Sequence, residues 1–301
     1  MQNQPAFLAI LLVLSALPGC RAREAAPPAA SAGPPPTRIV SLVPAVTEIL
    51  FAIGAGPRVV GVSSFDTHPP EALKLTKVGG LLDPDVERIL SLKPDLLAAD
   101  ASQLDVIAKA KAAGIRVYAY SLGGIGNLTK TVRELGRVTG NDRQAEETAS
   151  ALEGRLEAVR RRVAPLGRPR TIVVFGREPG ALRAIDVSGG TGFLNDILQI
   201  AGGENVFAKE AREWMRVSVE AILAASPDVV IELHYGYYLK PARIRQEQAA
   251  WATLPVLPAV RNGRVYLLEG NNYVVPGPRV VDAAEEIARL LHPATGTGKK
   301  R

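Results

Sequence analysis

Aromatic side chains in this 301-residue sequence lie where protein ligands are usually bound. Ligands of open α/β sheets bind at the loops beyond the carboxyl ends of the strands. Aromatic rings on such loops would offer a large, flat, partly apolar ligand extensive contact and a few polar groups. Aromatic residues make up only 5% of the chain, yet these lie on or near loops: Phe65, Trp214, Tyr235, Tyr237, Tyr238, Trp251 and Tyr273. For Trp251, which lies on a helix-like stretch, core packing is the favoured interpretation.

Catalytic chemistry has little support in the sequence. It contains no His-Glu-x-x-His zinc motif and no Gly-x-Ser-x-Gly nucleophile turn, and its one cysteine, Cys20, precedes the folded body. His68 and His234 fall on loops in different halves and could meet across a cleft, whereas His292 stands near the end of the chain. A metal site needs several converging ligands, so loop histidines in contact with solvent are the favoured interpretation. We therefore expect a binding protein, not an enzyme, with no resident cofactor or metal.

Short β-branched runs alternate with helical patterns, which predicts an α/β fold with parallel sheets flanked by helices. The predicted strands are residues 39–43, 59–63, 95–98, 116–120, 171–175, 228–233 and 265–268. The predicted helices between them are residues 46–53, 84–92, 104–113, 128–138, 193–200, 219–225 and 279–291. In this arrangement Phe65, Tyr235 and Tyr273 each come soon after a strand.

A longer helix, residues 141–164, separates the two halves. Its apolar residues recur at helical spacing: Ala145, Ala149, Leu152, Leu156, Val159 and Val163. Asn141 is a good N-cap, acidic residues come early and three arginines come late, as the helix dipole favours. Some 24 residues give a rigid element of roughly 36 Å. We expect this helix to connect two lobes.

An internal repeat indicates that the two halves are related. Residues 86–99 and 219–232 agree at six of fourteen positions, and each copy predicts a short helix, a Pro-Asp turn and a buried strand. Each copy places an acid, Glu87 or Glu220, at the start of its helix. An acid there can simply stabilise the helix dipole, but its presence in both copies favours a paired task.

The amino terminus reads as an export signal. Residues 7–17 form an uncharged apolar run, too short for a mature membrane helix, and Leu-Pro-Gly-Cys follows at residues 17–20. This ending resembles a lipobox, in which Cys20 would carry a diacylglycerol. Residues 21–37 are rich in Pro and Ala and would form an extended linker between the lipid and the folded body.

Charge gives no sign of nucleic-acid binding. The net charge is +6, but the basic residues are scattered or cluster in residues 160–170 and 299–301, without interleaved aromatic residues. After residue 20 no apolar run approaches the roughly 20 residues of a membrane helix, so we expect membrane contact through the lipid alone.

Residues 38–292 resemble the periplasmic binding proteins for vitamin B12, iron-siderophores and heme. The similarity lies in residues 38–48 (RIVSLVPAVTE), 60–71 (VGVSSFDTHPPE), 86–94, 201–207 (AGGENVF) and 217–227. It is greatest toward the vitamin B12 binders, through Ser64-Phe65 and His68-Pro69-Pro70. The resemblance implies two rigid α/β lobes joined by one long helix, and a ligand held between them.

The same resemblance suggests roles for individual residues. It implies that Glu87 and Glu220 dock onto the dimeric permease of an ABC importer, which works with its ATPase. It also implies ligand contacts for Phe65, Phe175, Arg177 and Trp214. Further ligand contacts are expected from side-chain chemistry and loop position, without a matched family position: His68, Tyr235, Tyr237, Tyr238 and Tyr273. Leu81 departs from the pattern, because the vitamin B12 binders have a Trp there.

The sequence therefore predicts a monomeric, exported, lipid-anchored binder that delivers cobalamin or a related corrinoid to a permease. The expected divisions are a signal peptide (1–20), a linker (21–37), a first lobe (38–140), a connecting helix (141–165), a second lobe (166–292) and a basic tail (293–301). An iron-siderophore or heme binder of the same class is the nearest alternative. An enzyme on the same scaffold, or a signalling lipoprotein that binds a protein in its cleft, is less favoured.

Overall fold

The first of two sheets is entirely parallel and is built from residues before the long helix. The computed structural model describes residues 33–236 and 239–293. The first-lobe elements are β1 (Ile39–Ser41), α1 (Pro44–Ala52), β2 (Val59–Val62), β3 (Thr76–Lys77), α2 (Val86–Ser91), β4 (Leu96–Asp100), α3 (Leu104–Ala112) and β5 (Arg116–Tyr120). The strand order is β3-β2-β1-β4-β5. Strand β1 is buried at every residue, as expected of a central strand covered on both faces.

Two helices, α4 (Ile125–Thr139) and α5 (Asp142–Val163), lead to a second sheet that is mixed. Its elements are β6 (Arg170–Gly176), β7 (Ile185–Ser188), α6 (Gly192–Ile200), β8 (Glu204–Asn205), β9 (Trp214–Val217), α7 (Val219–Ala225), β10 (Val229–His234), α8 (Pro241–Ala252), α9 (Pro258–Arg261), β11 (Val265–Glu269) and α10 (Val280–Leu291). The order is β11-β10-β6-β7-β9, and β8 pairs with β6. Strand β7 runs antiparallel to both of its neighbours.

The predicted α/β fold is confirmed, and every predicted strand and helix forms with ends that shift by at most three residues. The sequence patterns did not reveal β3, β7, β8, β9 or α9, and of α8 they indicated only a helix-like stretch at Trp251. The four missed strands have only two to four residues each, too few for a clear alternating pattern.

The long helix α5 packs as its sequence pattern predicts. All six apolar positions that recur along it, from Ala145 to Val163, are buried. They belong to a single hydrophobic cluster that also contains residues of α1, α6 and α10, so the cores of the two lobes are continuous. Asn141 stands at the N-cap, but its side-chain oxygen accepts a hydrogen bond from Arg58 and makes no cap hydrogen bond.

The internal repeat is visible in the hydrogen bonds that end each helix-turn-strand unit. The Asp95 carboxylate accepts hydrogen bonds from the backbone N–H groups of Thr37 and Arg38, at 2.7 and 2.9 Å. The Asp228 carboxylate accepts one from the N–H of Arg170, at 3.1 Å. Each turn therefore ties its own strand to the first strand of its lobe.

Within residues 33–236 and 239–293, no helix is both long enough and apolar enough to cross a bilayer.

Candidate functional site

A cavity of about 300 Å³ lies between the lobes and is lined mainly by apolar side chains. The second lobe contributes Phe175 at the end of β6, Phe193 at the start of α6, Trp214 and Tyr235. The first lobe contributes Leu122, which follows β5. We call this the aromatic cavity. It brings together three residues that the sequence predicted as ligand contacts: Phe175, Trp214 and Tyr235.

Trp214 differs from its prediction in one respect, because it begins strand β9 and does not lie on a loop. Its backbone pairs with Ser188 at the edge of the second sheet. The side chain remains 57% exposed, so a large aromatic surface is available at a position fixed by strand pairing.

The strand-end loops of the first lobe carry exposed aliphatic side chains. Leu81 and Leu82 follow β3, Leu104 begins α3 after β4, and all three are exposed. The Gln103 side chain donates hydrogen bonds to the carbonyl groups of Gly80 and Leu81, at 3.2 and 3.0 Å, and so fixes the loop. Because the strands are parallel, these loops share one edge of the sheet with Leu122.

Phe65 lies on this first-lobe edge and does not line the aromatic cavity. Its side chain is 66% exposed and lies against Gly80, where an added Cβ would approach the ring to 2.6 Å. The predicted ligand contact of Phe65 stays a prediction for the outer part of the cleft.

A second cavity of about 240 Å³ adjoins the aromatic cavity and shares Phe175 and Tyr235 with it. Arg177 lies at its base with a side chain only 3% exposed, between the buried carboxylates of Glu232 and Glu247. The Arg177 Nε lies 3.0 Å from Glu232, and the guanidinium lies 5.9 Å from the Trp251 ring centre. The guanidinium is thus held by two acids of the protein, and the predicted contact of Arg177 with a ligand stays a prediction.

The charged groups around Arg177 hold His234 beside the cavity. His234 Nε2 lies 3.0 Å from Glu232, and the Trp251 indole donates a hydrogen bond to the same carboxylate. Burial alone would raise the pKa of Glu232, but the contacts with His234, Trp251 and Arg177 outweigh it and lower the pKa. Glu232 therefore stays ionised beside the imidazole. Trp251 is buried, which agrees with its interpretation as a core residue.

His68 lies on the opposite lobe, at a junction held by polar contacts. The Asn271 amide donates to the Thr67 hydroxyl at 2.9 Å, and Arg279 pairs with the buried carboxylate of Glu48. His68 lines two cavities beside Arg279, and neither includes His234. Burial and the charge of Arg279 lower the pKa of His68. Among the described residues, His68 and His234 do not line a common site.

Tyr273 is a core residue, which corrects its prediction as a ligand contact. It is 4% exposed, belongs to the main hydrophobic cluster and donates its hydroxyl hydrogen bond to Glu286 of α10. The turn after β11 directs the ring inward onto α10, so its place after a strand did not bring it to the cleft.

Glu87 and Glu220 are both exposed at the starts of equivalent helices. Other side chains cap these helices, because Asp85 accepts a hydrogen bond from the Arg88 N–H and Ser218 accepts one from the Ala221 N–H. A hydrogen bond with Ser218 lowers the pKa of Glu220. Neither carboxylate is needed as a cap, so both can face a partner.

Three predicted residues lie outside the described part of the chain: Cys20, Tyr237 and Tyr238. Conversely, no pattern in the sequence pointed to Leu122, Phe193, Glu213 or Val274, which also line the aromatic cavity. Leu122 and Val274 each follow a strand, so a search of strand ends for aliphatic as well as aromatic residues would have found them.

Comparison with known proteins supports this description. The family described as "Periplasmic binding protein" matches residues 39–271. An uncharacterized ABC transporter substrate-binding lipoprotein of Bacillus subtilis is 30% identical over 265 residues, covering 86% of this chain and 81% of the relative.

Two solved structures agree in fold over nearly the whole described body. The periplasmic vitamin B12 binding protein of Vibrio cholerae has a TM-score of 0.73 and 27% identity, covering 87% of this chain and 99% of that one. A periplasmic heme-binding protein of Roseiflexus sp. RS-1 has a TM-score of 0.72 and 26% identity, covering 86% and 98%.

Proposed function

The chain belongs to the periplasmic binding protein family, and we propose that it captures cobalamin or a related corrinoid for an ABC importer. The names of two relatives support the two parts of this proposal, the transport role and the ligand. One is named an ABC transporter substrate-binding lipoprotein, and another is named a vitamin B12 binding protein.

The aromatic cavity between the lobes is the observation that carries the ligand proposal. Phe175, Phe193, Trp214 and Tyr235 form its second-lobe wall, and Leu122 closes it from the first lobe. Side chains of this kind, with few polar groups, suit a large and partly apolar ligand. The exposed Leu81, Leu82 and Leu104 continue the apolar surface along the first-lobe loops.

One wall of the cleft is aromatic and the other is aliphatic, and a corrinoid fits such a cleft better than a fully flat ring does. Its corrin ring is puckered and carries many methyl groups, which would contact the aliphatic first-lobe loops. Leu81, where the vitamin B12 binders have a Trp, fits the same argument, because an aliphatic side chain adapts to an irregular surface more readily than a rigid indole.

The repeated acids support delivery to a dimeric permease. Glu87 and Glu220 occupy equivalent exposed positions, one on each lobe, and neither is used as a helix cap. Two such carboxylates can each pair with an arginine on one of two similar subunits. In the same proposal, Cys20 carries a lipid and residues 21–37 link it to the body, so that the protein remains near its permease.

Heme or a ferric siderophore is the second candidate, because Tyr235 lines the aromatic cavity and His234 lies beside it. Tyrosine and histidine are the residues that would bind heme iron. The relative from Roseiflexus is named a heme-binding protein.

A titration of the purified protein with cyanocobalamin, heme and ferric siderophores tests the proposal. We expect one-to-one binding of the corrinoid at micromolar concentrations or below. If the protein binds no corrinoid but shows a heme Soret shift that is lost in Tyr235→Phe or His234→Ala, the ligand is heme. That result would leave the proposed transport role intact. Uptake that is insensitive to Glu87→Ala and Glu220→Ala would contradict the transport role itself.

A further inference from the structure

Glu213 places a carboxylate on the wall of the aromatic cavity, beside Trp214. Of the described residues that line this cavity, Glu213 alone carries a charge. The side chain is exposed, so a ligand that enters the cavity would meet it directly.

The position of Glu213 is fixed by its neighbours. Its backbone carbonyl accepts a hydrogen bond from the Gly189 N–H at 2.9 Å, and the Arg212 carbonyl accepts one from Thr191 at 3.3 Å. Its side chain lies against Gly192, where an added Cβ would come within 3.0 Å of the Glu213 Cγ. Gly192 has φ +82° and begins α6, so the glycine leaves room for the acidic side chain.

The carboxylate is not neutralised by the protein. The two nearest arginines along the chain are directed elsewhere, since Arg212 lies 3.9 Å from Glu210 and Arg216 lies 2.9 Å from Asp186. Among the described residues, no cation lies within ion-pair distance of Glu213.

Asp100 ends β4 in the first lobe and pairs with Tyr120 at the end of β5, and it adds a second negative charge outside the residues that line the aromatic cavity. Burial and the negative charges of Asp100 and Glu213 raise the pKa of Tyr120 to about 12. A ligand carboxylate in the cavity would meet the like charge of Glu213 and, at longer range, that of Asp100.

We infer that Glu213 selects the ligand in two ways. Its carboxylate accepts hydrogen bonds from carboxamide N–H groups at the edge of the ligand, and it repels ligands that carry carboxylates there. This inference rests on the proposed function and narrows it to ligands whose periphery is neutral or cationic. A carboxylate can accept several hydrogen bonds, and those it accepts are about twice as strong as neutral ones. Heme propionates and anionic siderophores are disfavoured by the same charge.

The test uses two corrinoids that share one ring and differ in their side chains. Dicyanocobinamide carries carboxamides, and dicyanocobyrinic acid carries carboxylates in their place. Calorimetric titration of the full-length protein gives both dissociation constants for the wild type, Glu213→Gln and the control Glu210→Gln. Glu210 lies three residues away and does not line the cavity. Thermal unfolding confirms that each variant is folded.

We expect the wild type and Glu210→Gln to favour the carboxamide form by at least about tenfold, and Glu213→Gln to lose about tenfold of that preference. Binding of both corrinoids with a preference that Glu213→Gln leaves unchanged would overturn the inference and leave the proposed function standing. Equal binding of the two forms by the wild type would also overturn it. Binding of neither corrinoid, or tight binding of heme alone, would overturn the proposed ligand and this inference together.

Discussion

Lys93 and Ser226 adopt the same left-handed backbone conformation, with φ of 47° and 45°, at equivalent places in the two lobes. Each residue follows a short helix and precedes a Pro-Asp pair. The carbonyl just before each one accepts a hydrogen bond from an arginine at the start of the lobe: Leu92 from Arg38 at 2.6 Å, and Ala225 from Arg170 at 2.7 Å. The two lobes thus share backbone geometry at positions where their side chains differ.

Glycine at either position should stabilise the protein. A left-handed conformation strains a residue that has a Cβ, and glycine removes this strain while increasing the entropy of the unfolded chain. We expect Lys93→Gly and Ser226→Gly each to raise the free energy of unfolding by about 0.5 kcal/mol in urea denaturation. The control, Ala151→Gly on the exposed face of α5, should lower it by about 1 kcal/mol. Destabilisation by both turn variants, as large as in the control, would contradict the argument.

Permease docking should depend on Glu87 and Glu220 together. Exposed charges at a docking surface act mainly on the association rate, so each single change to alanine should lower uptake in part and the double change more strongly. We expect the double variant to lose about tenfold in uptake rate at low ligand concentration while keeping its ligand affinity. The matched control replaces Glu147 and Glu157, two exposed acids of α5 that lie outside the repeated helices α2 and α7. Equal losses in the two double variants would argue against a docking role.

The sequence predicted the fold well because its signals are local. A helix with buried residues at regular spacing, such as α5, and a repeat with a Pro-Asp turn can be read without knowing their neighbours. The bounds of helix α8 were not predicted, apart from a helix-like stretch at Trp251, because the helix is polar. Its buried Glu247 pairs with Arg177, which no periodic pattern of apolar residues reveals. Strand β9 exists because it pairs with β7, which is also short. Such pairing depends on distant parts of the chain.

Where each predicted site residue lies depends on tertiary contacts. Phe175, Trp214 and Tyr235 line one cavity because the folded sheet brings their elements together. Tyr273 also follows a strand, but a single turn directs it into the core. Arg177 is paired at the second cavity with two acids that are distant in sequence. The direction of a side chain at a strand end is set by such tertiary contacts, which local sequence patterns do not predict.

Trp214 should be the strongest single ligand contact in the aromatic cavity. Exposed indoles that become buried on binding are typical interface hot spots, so Trp214→Ala should weaken ligand binding by about thirtyfold. The unfolding midpoint should change little, because the indole is mostly exposed in the free protein. Calorimetric titration measures the effect, and Val256→Ala serves as a control for loss of an exposed apolar side chain elsewhere. A similar affinity in Trp214→Ala and Val256→Ala would mean that the ligand does not bind against Trp214.

The Glu48–Arg279 pair should stabilise the junction between the lobes. Glu48 is nearly fully buried on α1 of the first lobe, and Arg279 precedes α10 of the second. Glu48→Gln leaves a charged guanidinium without its partner, at a cost of about 2 kcal/mol when allowance is made for the partial exposure of Arg279. Replacing Arg279 by Met as well should recover part of this loss. Urea denaturation of the two single variants and the double variant measures the coupling.

A control for this coupling is the exposed pair of Arg155 with Asp282, which joins α5 to α10. Exposed ion pairs contribute little, so Asp282→Asn should cost less than about 1 kcal/mol. Equal coupling free energies for the two pairs would mean that burial of Glu48 at the lobe junction adds nothing to the stability that the ion pair provides.

Asp66 should make the stability of the protein fall as the pH rises from about 4 to about 7. Its side chain is 1% exposed, and no described residue donates a hydrogen bond to either carboxylate oxygen. The nearby Thr47 hydroxyl donates to Ser41 and to the Val43 carbonyl instead. Burial raises the pKa of Asp66 from 3.8 to about 7, and the charge of Lys77 opposes this only in part.

The direction of the effect follows from proton binding in the two states. Between pH 4 and 7 the folded protein keeps a proton on Asp66 that the unfolded chain has released, so raising the pH favours unfolding. The loss is complete above pH 7 and amounts to at most about 4 kcal/mol. Asp66→Asn imitates the protonated acid. The difference in free energy of unfolding between this variant and the wild type should therefore be small at pH 4 and favour the variant increasingly up to pH 7. Asp142→Asn, an exposed acid, should show no such trend, and a difference for Asp66→Asn that is constant with pH would mean that the buried carboxyl titrates normally.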